Sequence, residues 1–585
     1  MEPPPGSHED QRGLHPVRRI VLRFVVATLI SAVVVAPLAL SWAVTHTEVR
    51  QLVGITPTTF ALTTAGHSEL RLGIAGTFYI PQSRGPLGVV ATVDGPGVPE
   101  LGTGDLASYA TPEMLQLYTG LFHDPQPAVE GYLHVLAAEL LRQLVVAEVF
   151  LALVGGLTWV TLELLLRRRE SVLSPSPEAS PLPMRASGIA GLGVLLAVTS
   201  VLAFLQMRPA RGDWVTDTAA TVYELPSLEG TIAEGTTTTS PLLRGLLAGA
   251  VPKVEDLVQR QEDRDLQYRS AAVAGLQAQA ALMAGPRAGE TAVLMQSDMH
   301  CNTTMIRLQR QVVSMLRGRF GADVPALLAI TGDLTTNGTA AEAGCIEAEA
   351  AIAQGVPMTA VTGNHESEVS VEQMEGVGIK VLTGETTELA GVSVLGDGDP
   401  ERSELFGATR LRGEETQQDV GARLYDVAVE DRPQLLLVHE AYAAQAFIGT
   451  TDISSFLQDR ADATTRYDDG VRDLPASAVL YGHWHRSIDP RVVWNSDGTW
   501  TLVMELDTSG GAIDTPTIGH FSTPWSSPEQ NASFPVLFLD EDSGLVTGYQ
   551  LYDFDIDGTV TIHPRVDIGD FNPTGGDDRS SIGNR

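Results

Sequence analysis

Five short apolar runs, each stopping at an acid, an amide or an imidazole, constrain this chain more than any other feature. Residues 292–295 lead to Asp298 and His300, and 326–330 lead to Gly332 and Asp333. Residues 357–361 lead to Gly363, Asn364, His365 and Glu366. Residues 435–438 lead to His439, and 478–481 lead to Gly482, His483 and His485. Short apolar runs without polar alternation fit strands covered on both faces. Helix-like segments separate them, which predicts an α/β core with covered sheets. Side chains just past the carboxyl ends of such strands gather in one neighbourhood. Five strand ends then deliver carboxylates, an amide and imidazoles to one place.

The first third of the chain has a different character. Residues 1–207 carry 12 Lys and Arg against 16 Asp and Glu, whereas 208–585 carry 26 against 56. A nearly neutral apolar part precedes a strongly acidic one. Three stretches approach the roughly 20 apolar residues that cross a bilayer: 20–44, 144–166 and 188–207. Glu148 and Glu163 make the second the weakest. Arg12, Arg18, Arg19 and Arg23 flank or open the first, Arg167, Arg168 and Arg169 follow the second, and Arg185 precedes the third. Arg-rich short loops stay cytoplasmic. The expectation is a cytoplasmic tip at 1–19, an outside module at 45–143, an inside linker at 167–187, and everything after Met207 outside. A cleavable signal ending near Ser41, Trp42 and Ala43 is the alternative for the first stretch. A buried amphipathic helix is the alternative for the second.

Residues 45–135 mix Thr, Val and Gly with short alternating runs and read as a small β-rich module. Residues 170–184 form a Pro/Ser linker. A helical connector is placed at 208–290, in which 240–284 read as helical, with apolar residues at helical spacing through Leu257, Leu266, Val273 and Leu276. The α/β domain is placed at 291–569 and a disordered tail at 570–585. The formal charge of −34 argues against a nucleic-acid partner, because phosphate recognition wants a basic face. Two cysteines exclude a disulfide-dense scaffold and a Cys-built zinc cluster.

Taken singly, each polar cluster has an ordinary explanation, such as a turn, a cap or a solvated histidine. Taken together they are specific. Five of the 13 His stand at these strand ends beside Asp298, Asp333 and Asn364. The order Asp298-x-His300, Gly332-Asp333-x-x-x-Asn337-Gly338, Gly363-Asn364-His365-Glu366, a lone His439 and Gly482-His483-x-His485 resembles the calcineurin-like metallophosphoesterases. The resemblance covers roughly residues 290–510.

That resemblance implies a four-layer α/β sandwich and two divalent metal ions, Mn, Fe, Zn or similar. It implies that Asp298, His300 and His485 hold one ion, that Asn364, His439 and His483 hold the other, and that Asp333 bridges both. Imidazoles and carboxylates suit such ions. His365 would be catalytic, protonating the leaving oxygen or stabilising the transition state; a structural hydrogen bond is its plainer reading. The Arg that follows the bridging Asp in protein phosphatases of this superfamily is missing, since Thr336, Asn337 and Gly338 stand there. This favours small phosphoesters and phosphodiesters. Arg402, Arg410 or Arg412 could contact a substrate phosphate, against a solvated loop as the plainer reading. The Gly510-Gly511 turn could bring backbone near the metals.

The expectation is therefore a multi-pass membrane protein whose extracytoplasmic domain hydrolyses small-molecule or lipid-linked phosphoesters. The alternatives are a non-catalytic sensor for a phosphorylated ligand, or a function carried by the 45–135 module. An oxidising compartment would favour a Cys301–Cys345 disulfide, with two separate thiols as the alternative.

Overall fold

A computed structural model describes residues 16–53, 56–72, 76–81, 87–93, 125–173, 195–203, 223–224, 235–403, 409–458, 472–513 and 527–568. Residues 1–15 of the expected tip, most of the 170–184 linker and the tail lie outside these residues, while 16–19 open the first helix. Two compact units divide the chain: Met1–Arg50 with Thr58–Gly95 and Leu133–Leu247, and Gln51–Pro57 with Pro96–Tyr132 and Ala248–Arg585.

In the first unit, the helix Pro16–His46 continues through the expected 20–44 stretch. The 144–166 stretch lies inside a longer helix, Pro125–Leu173. Residues 125–143 are thus helical rather than part of a β-rich module. Their apolar side chains recur at helical spacing, and Pro125 suits a first helical position. Within these two helices, Ile20–His46 and Ala128–Leu165 are long and apolar enough to cross a membrane. Gly156 permits their close approach, for a Cβ there would lie 2.9 Å from Thr28 Cα. Of the third stretch, 195–203 is described and helical; 188–194 and 204–207 lie outside the described residues. Thr199 Oγ1 donates to Val34 O (2.8 Å) and Ser41 Oγ to Ala203 O (3.3 Å).

A seven-stranded sheet belongs mostly to this unit. Its order is Glu48–Val53, Thr56–Thr63, Gly88–Val93, His67–Arg71, Thr77–Pro81, Thr237–Thr238, Tyr223–Glu224. Part of the expected 45–143 module is therefore β, as the alternating runs suggested.

In the second unit the five apolar runs are strands: Glu290–Gln296, Leu327–Ile330, Met358–Ala360, Leu435–Leu437 and Ala478–Tyr481. They divide between two mixed sheets. The eight-stranded sheet runs Ile379–Val381, Met358–Ala360, Leu327–Ile330, Glu290–Gln296, Ala532–Asp540, Val546–Phe554, Val560–Ile562, with Val566–Asp567 on Val546–Phe554. The six-stranded sheet runs Thr387–Leu389, Val392–Gly396, Leu435–Leu437, Ala478–Tyr481, Trp500–Glu505, Arg491–Trp494. The five site-bearing strands pair in parallel with their neighbours, apart from the antiparallel pairing of Glu290–Gln296 with Ala532–Asp540.

Packing explains the unbroken apolar runs. Val293, Met295, Leu327, Ala329, Leu435, Leu437, Ala478 and Leu480 meet in one core between the sheets. Their sequence neighbours Ala292, Leu294, Leu328 and Ile330 face a second core, with the helix Thr303–Phe320 and the end of Pro241–Gln279. Leu436, Val438, Val479 and Tyr481 face a third, with the helices Gln417–Asp431, Ala441–Ile448 and Ile453–Gln458. Successive residues of a strand point to opposite faces, so both faces must be apolar. The layers run helix, sheet, sheet, helix.

One buried group costs stability. Glu349, on the helix Ala343–Ala350, is 1% exposed and neither carboxylate oxygen has a partner. The nearby Gln296 amide nitrogen is taken by Gln309. Burial pushes the Glu349 carboxyl up to about 8 from an ordinary 4.5. Between those values the folded chain keeps a proton that the unfolded chain releases, so stability falls as pH rises. At pH 7 the loss is on the order of 3 kcal/mol. Glu349→Gln is expected to raise the denaturant midpoint at pH 7–8 and to leave it nearly unchanged near pH 4.5. Parallel pH profiles for the two proteins would contradict this.

Candidate metal centre

The candidate residues leave the strand ends on tight, strained loops. Asp298, His300, Cys301, Asp333, His483 and His485 all have positive φ, from 46° to 72°. Non-glycine residues in this region cost about 1 kcal/mol or more each and persist only when surroundings over-determine them. Here the surroundings do. Asp298 N donates to Gly332 O (3.0 Å), His300 N to Asp333 O (2.9 Å), and Cys301 N to Leu334 O (2.7 Å). Gly482 N donates to His439 O (2.9 Å), and His483 N to Asp298 Oδ2 (3.0 Å). Gly510 N donates to Asp298 O (3.3 Å), which brings the Gly510-Gly511 turn against this loop.

Glu366 binds two of the loops together. Its carboxylate accepts from Asp333 N (2.9 Å), Thr335 N (2.9 Å) and Gly363 N (2.7 Å). Gly363 has no room for a side chain, for a Cβ would lie 2.2 Å from Asp333 Oδ1. Arg412 donates to Gly363 O (3.0 Å) and Glu366 O (2.7 Å), and Arg402 to Asn364 O (3.2 Å) and Asn337 O (2.7 Å). These two guanidiniums clamp the Asn364 loop through its carbonyls. The positioning role of Glu366 was missed in the sequence, although its place in the Gly-Asn-His-Glu run was the available signal.

The seven candidate ligands come together. Ligand atoms of Asp298, His300 and His485 form one group, and those of Asp333, His439 and His483 another, each within 4.8 Å. His300, Asp333 and His365 form a third overlapping group. Asn364 Oδ1 lies 3.0 Å from His439 Nε2. Asp333 stands between the two groups, with Oδ2 3.2 Å from His439 Nε2 and 3.8 Å from His300 Nε2. His365 N donates to Asp333 Oδ1 (2.9 Å), and the His365 ring places Nδ1 2.7 Å from Thr336 O.

The donor chemistry fits cations. His439 Nδ1 faces Thr331 O (2.8 Å) and His485 Nδ1 faces Ala512 O (2.7 Å). A carbonyl only accepts, so each Nδ1 carries a proton, and in a neutral ring Nε2 then offers a lone pair. Yet His439 Nε2 faces the Asp333 carboxylate, and His485 Nε2 faces Asp298 Oδ1 (3.1 Å) and His300 Nε2 (3.3 Å). With neutral rings acceptors would face acceptors, and either a proton on Nε2 or a bound cation relieves this. Donors bound at about 2.1 Å to one ion, at tetrahedral to octahedral angles, lie about 3.0–3.4 Å apart. Several of the separations above fall in that range.

The carboxylates draw positive charge to these nitrogens. Burial pushes the His439 and His485 imidazoles down, but Asp333 and Asp298 respectively more than offset it and hold both above the ordinary value. Burial also opposes ionisation of Asp298 and Asp333, yet the neighbouring imidazoles keep both well below the usual carboxylate range. Burial takes His300 down to about 3 and His483 to about 4, so both rings are neutral.

Cys301 and Cys345 form a disulfide with a Cα–Cα distance of 5.4 Å and a sequence separation of 44. It ties the residue next to His300 to the helix Ala343–Ala350. A loop of this length is worth about 4 kcal/mol by chain entropy. The double Cys301→Ala, Cys345→Ala variant is expected to lose that much in equilibrium unfolding. An unchanged denaturation midpoint would sink this expectation.

No family model and no curated protein matches the chain. Similar solved structures include a 5'-nucleotidase precursor from Thermus thermophilus, 13% identical with a TM-score of 0.28, covering 46% of this chain and 54% of that one. Another is the NAD nucleotidase of Haemophilus influenzae, 13% identical with a TM-score of 0.26, covering 48% and 50%. The chain matches about half the length of these two proteins.

Proposed function

We propose that the second unit is a dinuclear metal-dependent phosphoesterase of the calcineurin-like kind. The observation that carries this is the convergence of two carboxylates, an amide and four imidazoles from five separate strand ends on either side of Asp333. Asp298, His300 and His485 would hold one divalent ion, Asn364, His439 and His483 the other, and Asp333 would bridge them. The helix–sheet–sheet–helix layering supports the same reading. Ions held there supply Lewis acidity toward a phosphoryl group and lower the pKa of water.

The protein's own residues supply the rest. Hydrogen bonds from His365 N and to Glu366 fix Asp333 and its loop, so the ligand set is preorganised. His365 directs Nδ1 to Thr336 O, so Nδ1 carries a proton, and only in the imidazolium would Nε2 hold a second one to pass to the leaving oxygen. The burial of Asp298, Asp333 and His439 (each about 1% exposed or less) keeps bulk water from these donors and would strengthen their interactions with the phosphoryl charge. Small-molecule or lipid-linked phosphoesters are the substrate class.

The same reading places this unit outside the cytoplasm on a multi-pass membrane anchor. Two long apolar helices, the Arg-rich flanks and the disulfide support it. A reporter fused after Arg585 is expected to be active only outside the cytoplasm, and one inserted within 170–184 only inside. The reverse pattern would overturn the orientation.

The function is tested on the purified full chain with a phosphoester panel. A chelator is expected to abolish turnover and a divalent ion to restore it. A protein that retains two ions and hydrolyses nothing in the panel would be a sensor instead.

A further inference from the structure

The candidate ligands differ in how far they reach solvent. The side chain of His483 is 30% exposed, whereas Asp298, Asp333, Asn364, His439, His300 and His485 are nearly covered. Among the seven candidate ligands His483 is the one that reaches solvent, and His365 beside them is partly exposed as well. One exposed aromatic stands close to His483 in the fold. Tyr442 is 43% exposed, and it is the one large aromatic so exposed among the described residues from 248 onward.

Its position is tied to the metal cluster in two ways. Tyr442 N donates to Glu440 Oε2 (2.7 Å), and Oε1 of the same carboxylate lies 3.5 Å from His483 Nε2. The Tyr442 ring meets the Trp484 ring edge to face, centroids 5.9 Å apart at 85°. Trp484 sits between His483 and His485 in the chain. The Arg486 guanidinium lies 4.1 Å from the Trp484 ring centroid and is itself held by Glu505 (2.9 and 3.0 Å) and Ser454 (3.2 Å). The Trp484 ring beside Tyr442 is thus held in place by neighbours of its own. A rigid, exposed aromatic beside a polar reactive centre gains by covering its apolar face, at little cost in side-chain freedom.

We propose that Tyr442 is a specificity-determining residue that receives a flat aromatic group attached to the phosphoryl centre. The proposal rests on the phosphoesterase reading for the placement of the phosphoryl group. An aromatic pair of this kind is worth about three- to tenfold in binding.

The test uses the full-length protein loaded with Mn²⁺ and two non-hydrolysable probes, phenylphosphonate and methylphosphonate, with dissociation constants read by calorimetry. The parent is expected to bind the phenyl probe about three- to tenfold more tightly than the methyl probe. Tyr442→Ala is expected to bring the ratio to about one at unchanged metal content, and Tyr442→Phe to keep it. A loosened site would weaken both probes together and leave the ratio unchanged. A Tyr442→Ala protein that keeps the phenyl preference overturns the assignment, as does a parent with none. If the parent hydrolyses no phosphoester yet shows the preference and loses it in Tyr442→Ala, the hydrolase reading falls and the assignment of Tyr442 stands.

Discussion

Replacing Asp333 with Asn is expected to remove bound metal and activity together. Asp333 stands in one donor group with His439 and His483 and in another with His300 and His365. Its charge is what offsets the burial of His439 and favours the imidazolium there. An amide keeps the shape and the acceptance from His365 N but presents one neutral oxygen where a carboxylate presents two charged ones. Both proposed ion positions would lose the ligand they share. Losing a single stabilising donor costs about 10²–10³ in rate, so loss of the bridge should exceed about 10³-fold. Metal analysis and steady-state kinetics on the same preparation check it. Full metal content in an inactive Asp333→Asn protein would contradict the bridging role.

His365→Ala should differ in kind. His365 lies in one donor group with His300 and Asp333, but its Nδ1 is engaged by Thr336 O and its backbone N–H already serves Asp333. Truncating the side chain leaves that backbone contact in place, so the metals are expected to remain. Turnover of alkyl phosphoesters, whose leaving oxygen needs a proton, should fall by about 10²–10⁴-fold. A nitrophenyl ester, whose leaving group is a weak base, should lose much less. An equal loss on both substrates would assign His365 to the metal site rather than to proton delivery.

Much of the second unit was legible because its strands are covered on both faces. A run such as residues 435–438 has no polar alternation, and the structure shows why: Leu435 and Leu437 face one core, Leu436 and Val438 another. The convergence of Asp298, Asp333, Asn364 and the five His followed from strand ends sharing one edge. The antiparallel hairpin Ala532–Asp540 and Val546–Phe554 was not foreseen. Pro535 argues against a central strand, since it removes a ladder donor. It is accommodated because pairing with Glu290–Gln296 begins only at Val536, leaving one flank of Pro535 free. The clamping roles of Arg402 and Arg412 were equally hidden. Their partners are backbone carbonyls of loops far away in sequence, and nothing in residue type distinguishes that from a phosphate contact. The left-handed backbone at Asp298, His300, Asp333, His483 and His485 left no mark in composition either, because it is imposed by hydrogen bonds between loops rather than by glycine.

The central claim is that one carboxylate, Asp333, organises two ions. Anomalous diffraction from crystals of the Mn²⁺-loaded protein measures this directly. The account predicts two peaks about 3.5–4 Å apart, one beside Asp298, His300 and His485, the other beside Asn364, His439 and His483, with Asp333 in contact with both. A single peak, or two peaks of which only one touches Asp333, would contradict it.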